Sequence, residues 1–161
     1  MSNKKSYSTH LDFAHQRLLN QHLAQPFFNQ PQDVVDWLVA VQAQDYAGAK
    51  WAIGLRMQQA NDAVLDKAFN EGTILRTHLL RPTWHFVTPA DIRWLLTLTA
   101  PRVHMANGTM YRKIGLDEVT LNQSAGVITS ALQGGQQLTR DELRDHLQRA
   151  GIDTSNLLRV T

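Results

Sequence analysis

The hydrophobic period of this chain changes twice, and that change limits the fold more tightly than any other feature. Up to Gly72 the apolar residues recur at helical spacing: Phe13, Leu18, Leu19 and Leu23 partly so, then Val34, Val35, Leu38 and Val41 as an i, i+1, i+4, i+7 stripe. From Thr73 to Val87 the period is that of strands. Thr73-Ile74-Leu75-Arg76-Thr77-His78-Leu79 and Pro82-Thr83-Trp84-His85-Phe86-Val87 read as a hairpin turning near Leu80-Arg81, with Pro82 placing its strand start at an edge. Helical signals then return. The order predicts a mainly α fold, a winged helix-turn-helix whose wing is the two-stranded hairpin; such modules usually lay a helix, and often the wing, on nucleic acid.

Local signals mark the helix ends. Pro31 suits a first helical position, and Asp45 reads as the cap of a helix through Trp51, Ile53 and Leu55. Asn61 or Asp62 caps a helix that ends at Gly72. Thr88-Pro89-Ala90-Asp91 opens a helix expected to reach Pro101, and another from about Leu116 carries Leu121, Ala125, Ile128 and Leu132 on one face before Gly134-Gly135 stops it. Thr139-Arg140-Asp141-Glu142 is a capping box for a helix closing at Gly151. Thr154 and Ser155 would cap a further helix six residues before Thr161. That pattern is the start of a second winged-helix module, giving modules over 1–115 and, incomplete, 116–161. The chain thus reads as a piece of a longer protein, against the alternative of a genuine one-turn terminal helix.

At 161 residues the chain suits one domain, or one and part of another. The absence of cysteine excludes disulfides, thiolate metal sites and cysteine nucleophiles. No apolar run approaches the roughly 18 residues of a membrane span, and no signal-peptide core follows Met1, so the expected setting is soluble and cytoplasmic. The net charge of +2 is uninformative, but its distribution is not. Between Thr73 and Gly115 stand Arg76, Arg81, Arg93, Arg102, Arg112 and Lys113 against Asp91 alone, a net of +5, while the rest of the chain carries −3. Such an island attracts phosphate, unless its arginines pair with acids elsewhere in the fold.

Most familiar chemistries are absent from the sequence. It has no glycine-rich phosphate loop, dinucleotide fingerprint or nucleophile elbow. His10, His15, His22, His78, His85, His104 and His146 show no metal-ligand spacing, so no metal is expected. Asp33 with Asp36, and Asp141 with Glu142, sit at helix starts where the macrodipole accounts for them. The unusual segment is Val41-Gln42-Ala43-Gln44-Asp45-Tyr46. Gln42 follows Leu38 by four residues, on or beside an apolar face, where an amide without partners costs about 1–3 kcal/mol. On a continuous helix Gln42 and Gln44 point about 200° apart. They share a face only if the helix ends near Gln42 and the chain becomes extended. The residues leave two readings: a helix end wrapped by its own glutamines, or two amides facing one cavity, able to hold a water or a base edge.

Longer strings resemble one bacterial family. They are Val41-Gln42-Ala43-Gln44-Asp45-Tyr46, Ala49-Lys50-Trp51-Ala52-Ile53-Gly54-Leu55-Arg56, Arg76 through Val87, Pro89 through Leu96, and Leu138 through Leu143. The family is that of tandem winged-helix DNA-binding proteins, which includes the AlkZ-like and YcaQ-like alkylpurine DNA glycosylases. The resemblance implies several winged-helix modules and a C-terminal β domain around a DNA channel in complete members, and an activity that removes N7-alkylated purines and in some members unhooks interstrand crosslinks. The catalytic signature, glutamine–apolar–glutamine or aspartate, falls on Gln42-Ala43-Gln44, with alanine a small middle residue.

On that reading Gln42 and Gln44 are the catalytic residues, orienting water at the sugar C1′ carbon. Lys50, Arg56, Arg76, Arg81 and His85 are contacts to phosphate or the damaged strand, and Trp51, Trp84 and Trp94 are packing residues. No metal or cofactor is implied. The implied partner is double-stranded DNA, alkylated or crosslinked, bound by a monomer at the nucleoid and not at a membrane. Two other classes compete. A non-enzymatic winged-helix DNA-binding protein or transcriptional regulator would dimerise on half-sites of one operator; a protein-interaction module would lack salt-dependent DNA affinity.

Overall fold

A computed structural model of the chain describes residues 6–80 and 83–155, with side chains from residue 12. It divides into two compact units, 1–103 and 104–161. The first unit opens with helix α1 (Ser6–Asn20). Helix α2 (Pro31–Leu38) begins on Pro31, whose missing N–H costs nothing at that position, and buries Val34 and Val35. Strand β1 is Val41–Gln42.

Helix α3 (Tyr46–Gly54) is capped by Asp45, which accepts from the Gly48 N–H, and helix α4 (Asp62–Asn70) by Asn61, which accepts from the Val64 N–H. The hairpin follows as β2 (Leu75–Leu79) and β3 (Thr83–Val87). Helix, short strand, two helices and hairpin is the layout of a winged helix, in line with the mainly α fold class read from the sequence.

Three expectations need correction. The apolar stripe through Val41 is not one helix: α2 stops at Leu38, Val39 turns left-handed with φ +67°, and Val41 enters β1. The sheet is therefore three-stranded, in the order β1-β3-β2 with all pairs antiparallel, so the strand that begins after Pro82 is central and not at an edge. Pro82 itself lies outside the described residues. Finally, helix α5 (Ile92–Lys113) runs through Pro101 instead of ending there. Proline at 101 removes the N–H that would reach the Thr97 carbonyl, and Thr97 is at an exposed position where water can serve that carbonyl.

The sheet separates two apolar layers in the first unit. One face sets Val41, Ala43 and Phe86 against Val34 and Val35 of α2, Ile53 of α3, and Leu65 and Ala68 of α4. The other sets Leu79 and Val87 against Leu95 of α5, with Ala40, Leu75 and Ile92 beside them. In the second unit, Asp117 caps helix α6 (Glu118–Ala131). Gly134 and Gly135, both at positive φ, end it. Helix α7 (Arg140–Arg149) carries the complete Thr139–Glu142 capping box. The helix anticipated after Thr154 falls largely beyond the described residues.

Val39 supplies the first prediction. A β-branched residue in the left-handed region is strained by about 1–2 kcal/mol, and this one is 38% exposed, so its side chain packs only in part. Val39→Gly is expected to raise stability by about 1 kcal/mol. Chemical denaturation of variant and parent reads the change, and a loss of stability would show that the valine side chain packs more than it strains.

Candidate active site

The break after Leu38 takes the two glutamines out of helix α2. With the chain extended from Val41, alternate residues share a side: Ala43 is fully buried, while Gln42 and Gln44 are both exposed. Gln42 pairs with His85 across β1 and β3, and His85 pairs with Thr77 across β3 and β2, so these three form one row on one face of the sheet. His85 is buried at 6% exposure, and its Nδ1 lies 2.9 Å from the Thr83 carbonyl. A carbonyl only accepts, so the proton sits on Nδ1 and Nε2 keeps its lone pair in the neutral ring.

Past Gln42 the ladder is only half closed. The Ala43 N–H donates to the Trp84 carbonyl at 2.7 Å. The Trp84 N–H, however, donates to the side-chain Oε1 of Gln44 at 3.3 Å. The Ala43 carbonyl accepts instead from Arg76, whose Nε and Nη2 stand 3.2 and 2.9 Å away. The Arg76 guanidinium also lies over the rings of Trp84 and Tyr46, at 4.5 and 5.5 Å from their centroids. His78 stacks on Trp84 with ring centroids 3.9 Å apart. Burial, with Arg76 and His85 nearby, pushes the His78 imidazole below its ordinary pKa.

The structure sets Gln42 and His85 on one face of the sheet and Arg76 on the other, beside the Ala43 peptide, and it spends two of the expected phosphate contacts elsewhere. Lys50 of α3 is 11% exposed and bridges Asp62 and Asp66 of α4 at 3.0 and 2.7 Å. Hydrogen bonds to Asp66 and then Asp62 raise its pKa. Arg56 is nine-tenths buried, with Nη1 on the Ala52 carbonyl at 2.7 Å and Nη2 on Gln21 Oε1 at 3.2 Å, so it caps the carboxyl end of α3. Burial lowers its pKa. Arg81 lies outside the described residues.

The tryptophans also depart from expectation: Trp51 is 71% and Trp94 47% exposed, and only Trp84 packs against the core. A groove of about 630 Å³ between α3 and α4 is lined by Tyr46, Lys50, Trp51 and Leu55, and neither glutamine reaches it. Arg93 and Arg102, on the acid-free helix α5, are exposed. The charge island had contained both, and only the fold separates them from arginines used internally. Among the described residues, no three histidine, aspartate or glutamate side chains are grouped to hold a metal, and no helix is long and apolar enough to cross a membrane.

Lys50 gives a second prediction. Because its pKa is raised in the folded state, its contribution to stability is fully present below the unfolded value of 10.5 and is lost as pH rises through the higher folded value. Lys50→Met is therefore expected to destabilise at pH 8, by an amount that shrinks above pH 10.5. Urea titrations of both proteins at the two pH values check it; a gap that stays constant would mean the loss comes from packing.

Fold and site define a winged-helix-like module that carries a pair of amides at the edge of its sheet. The AlkZ-like DNA glycosylase family model matches residues 35–160. The chain belongs to that family. It is similar in structure to the DNA glycosylase AlkZ of Streptomyces sahachiroi, with a TM-score of 0.60 and 25% identity over 89% of this chain. It spans 38% of the length of that protein. No curated protein sequence matches it.

Proposed function

We propose that the protein acts in a DNA glycosylase that hydrolyses the N-glycosidic bond of N7-alkylated purines, interstrand crosslinks among them, with Gln42 and Gln44 orienting the attacking water. The carrying observation is their exposure on one side of an extended segment whose middle residue, Ala43, is buried. Neutral amides are poor general bases at pH 7, which rules them out for most hydrolyses but not for this one. An N7-alkylated purine is already cationic. As the N9–C1′ bond breaks, its electron pair neutralises the base, and water adds to the oxocarbenium-like C1′ and loses a proton to solvent. What remains is to hold that water and complement the positive centre, which two oriented amide oxygens do by position and dipole.

Exposed Arg93 and Arg102 are the proposed phosphate contacts, while Lys50 and Arg56 act through the placement of α3. A regulator reading in the major-groove manner is less well supported: α4, the second helix of the helix-turn-helix, carries Asp62 and Asp66 against Lys67 alone, a poor charge for a groove lined by phosphates.

The test is incubation of duplex DNA containing N7-methylguanine with the intact protein and with Gln42→Ala/Gln44→Ala. Free 7-methylguanine from the parent and none above background from the variant is the expected result. Parental rates in the variant would remove the glutamines from catalysis. Release by neither, with tight salt-sensitive binding, would favour a non-enzymatic DNA-binding protein.

A further inference from the structure

Resting on the function proposed above, we infer that Arg76 is a positioning residue for the glutamine pair, holding the peptide between Gln42 and Gln44 instead of a phosphate. Arg76 starts on β2, on the far side of the central strand from β1. Its guanidinium nevertheless reaches the Ala43 carbonyl with two donors, at 3.2 and 2.9 Å. A charged fork on one oxygen is among the stronger neutral-acceptor contacts a side chain makes. Packing over Trp84 and Tyr46 fixes the plane of that fork.

The consequence lies in the ladder. Ala43 and Trp84 stand opposite one another, and the Ala43 N–H already donates to the Trp84 carbonyl. In a closed antiparallel pair the Trp84 N–H would return to the Ala43 carbonyl. Arg76 occupies that oxygen, and the Trp84 N–H goes instead to Gln44 Oε1. Arg76 thereby sets which acceptor the strand offers, and so anchors the side chain of Gln44. Without it the backbone pair can close, and Gln44 is released from β3. The second lone pair of the anchored oxygen stays available to a water.

The experiment uses the intact protein with Arg76→Met and Arg76→Lys. It measures single-turnover release of 7-methylguanine at saturating protein, and DNA affinity across a salt series. Arg76→Met is expected to lower the release rate about 100-fold, the scale of a misplaced reacting group, with affinity and salt slope unchanged. Arg76→Lys, which keeps the charge but not the fork, is expected to restore only part of the rate. In a Gln44→Ala background Arg76→Met should cost little more, because both changes act through one side chain.

A salt slope reduced by about one, with affinity lost on every sequence, would make Arg76 a phosphate contact and overturn the inference. So would an undiminished loss in the Gln44→Ala background, or a parental rate in Arg76→Met. If Arg76→Met fails to fold, Arg76→Lys decides on the same readings. Absence of base release from the wild-type protein is the distinct result that overturns the function itself.

Discussion

Phe86→Ala is expected to remove about 3–5 kcal/mol of folding stability, the range for deleting a buried aromatic ring. Phe86 has no exposed surface and stands on the central strand. Its backbone pairs with Val41 on one side and Arg76 on the other. Its ring meets Tyr46 of α3 edge-on at 5.6 Å and Phe69 next to it at 4.7 Å. One side chain therefore ties α3 and α4 to the sheet, and the cavity left by alanine opens where they meet. Domains hold only about 5–15 kcal/mol in total, so the variant is expected to be near unfolding at 37 °C. Urea unfolding of variant and parent measures the loss. Phe27→Ala, at a site 62% exposed, serves as the control and is expected to change stability by well under half as much. A loss from Phe86→Ala below about 1 kcal/mol would contradict a filled core at this position.

The features legible in the sequence are those whose physics is local. Asp45, Asn61 and Thr139 were readable as caps because a cap needs only its own side chain and the N–H groups two or three residues on. The hairpin was readable because alternation over five residues per strand fits little besides paired, half-buried strands. Strand β1 was not. It is two residues long, too short for any period, and the turn that starts it is made by Val39 without the glycine that marks a left-handed residue. The continuation of α5 through Pro101 was equally invisible, since local steric rules end a helix there.

The site was half legible for the same reason. Convergence of Gln42 and Gln44 could be posed as a condition on the backbone, a helix that ends before Gln42, and α2 does end at Leu38 with β1 over Val41–Gln42. Which cations are free could not be read. Lys50 finds Asp62 and Asp66 twelve and sixteen residues away on another helix. Arg76 finds a carbonyl across two strands. Arg56 is taken up by the end of the helix that precedes it. Nothing in sequence spacing separates these from Arg93 and Arg102, and the charge island counted Arg76 with those two alike.

On the proposed function, in which the two glutamines hold one water between them, their substitution has the largest expected functional effect. Each single substitution, Gln42→Ala or Gln44→Ala, is expected to lower base release about 10²–10³-fold, the scale of losing one preorganised group at a developing charge. The double variant should be scarcely worse, because a water held by two groups is lost when either goes. Melting temperatures should hold, since both side chains are exposed; Gln44→Ala gives up only the 3.3 Å bond from the Trp84 N–H. The pH profile separates this mechanism from its rivals. Neither amide titrates, so the rate of release should be flat through the imidazole range. A step near pH 6–7 would mean that a histidine takes the proton, and His85, cross-strand from Gln42, is then the residue to change. Gln44→Asp makes the converse case. It keeps an acceptor oxygen at that position and should stay active, but its carboxylate should impose a new fall in rate as pH drops toward about 4. Losses from the single substitutions that multiply in the double variant would instead give the two glutamines separate tasks, one on the water and one on the departing base.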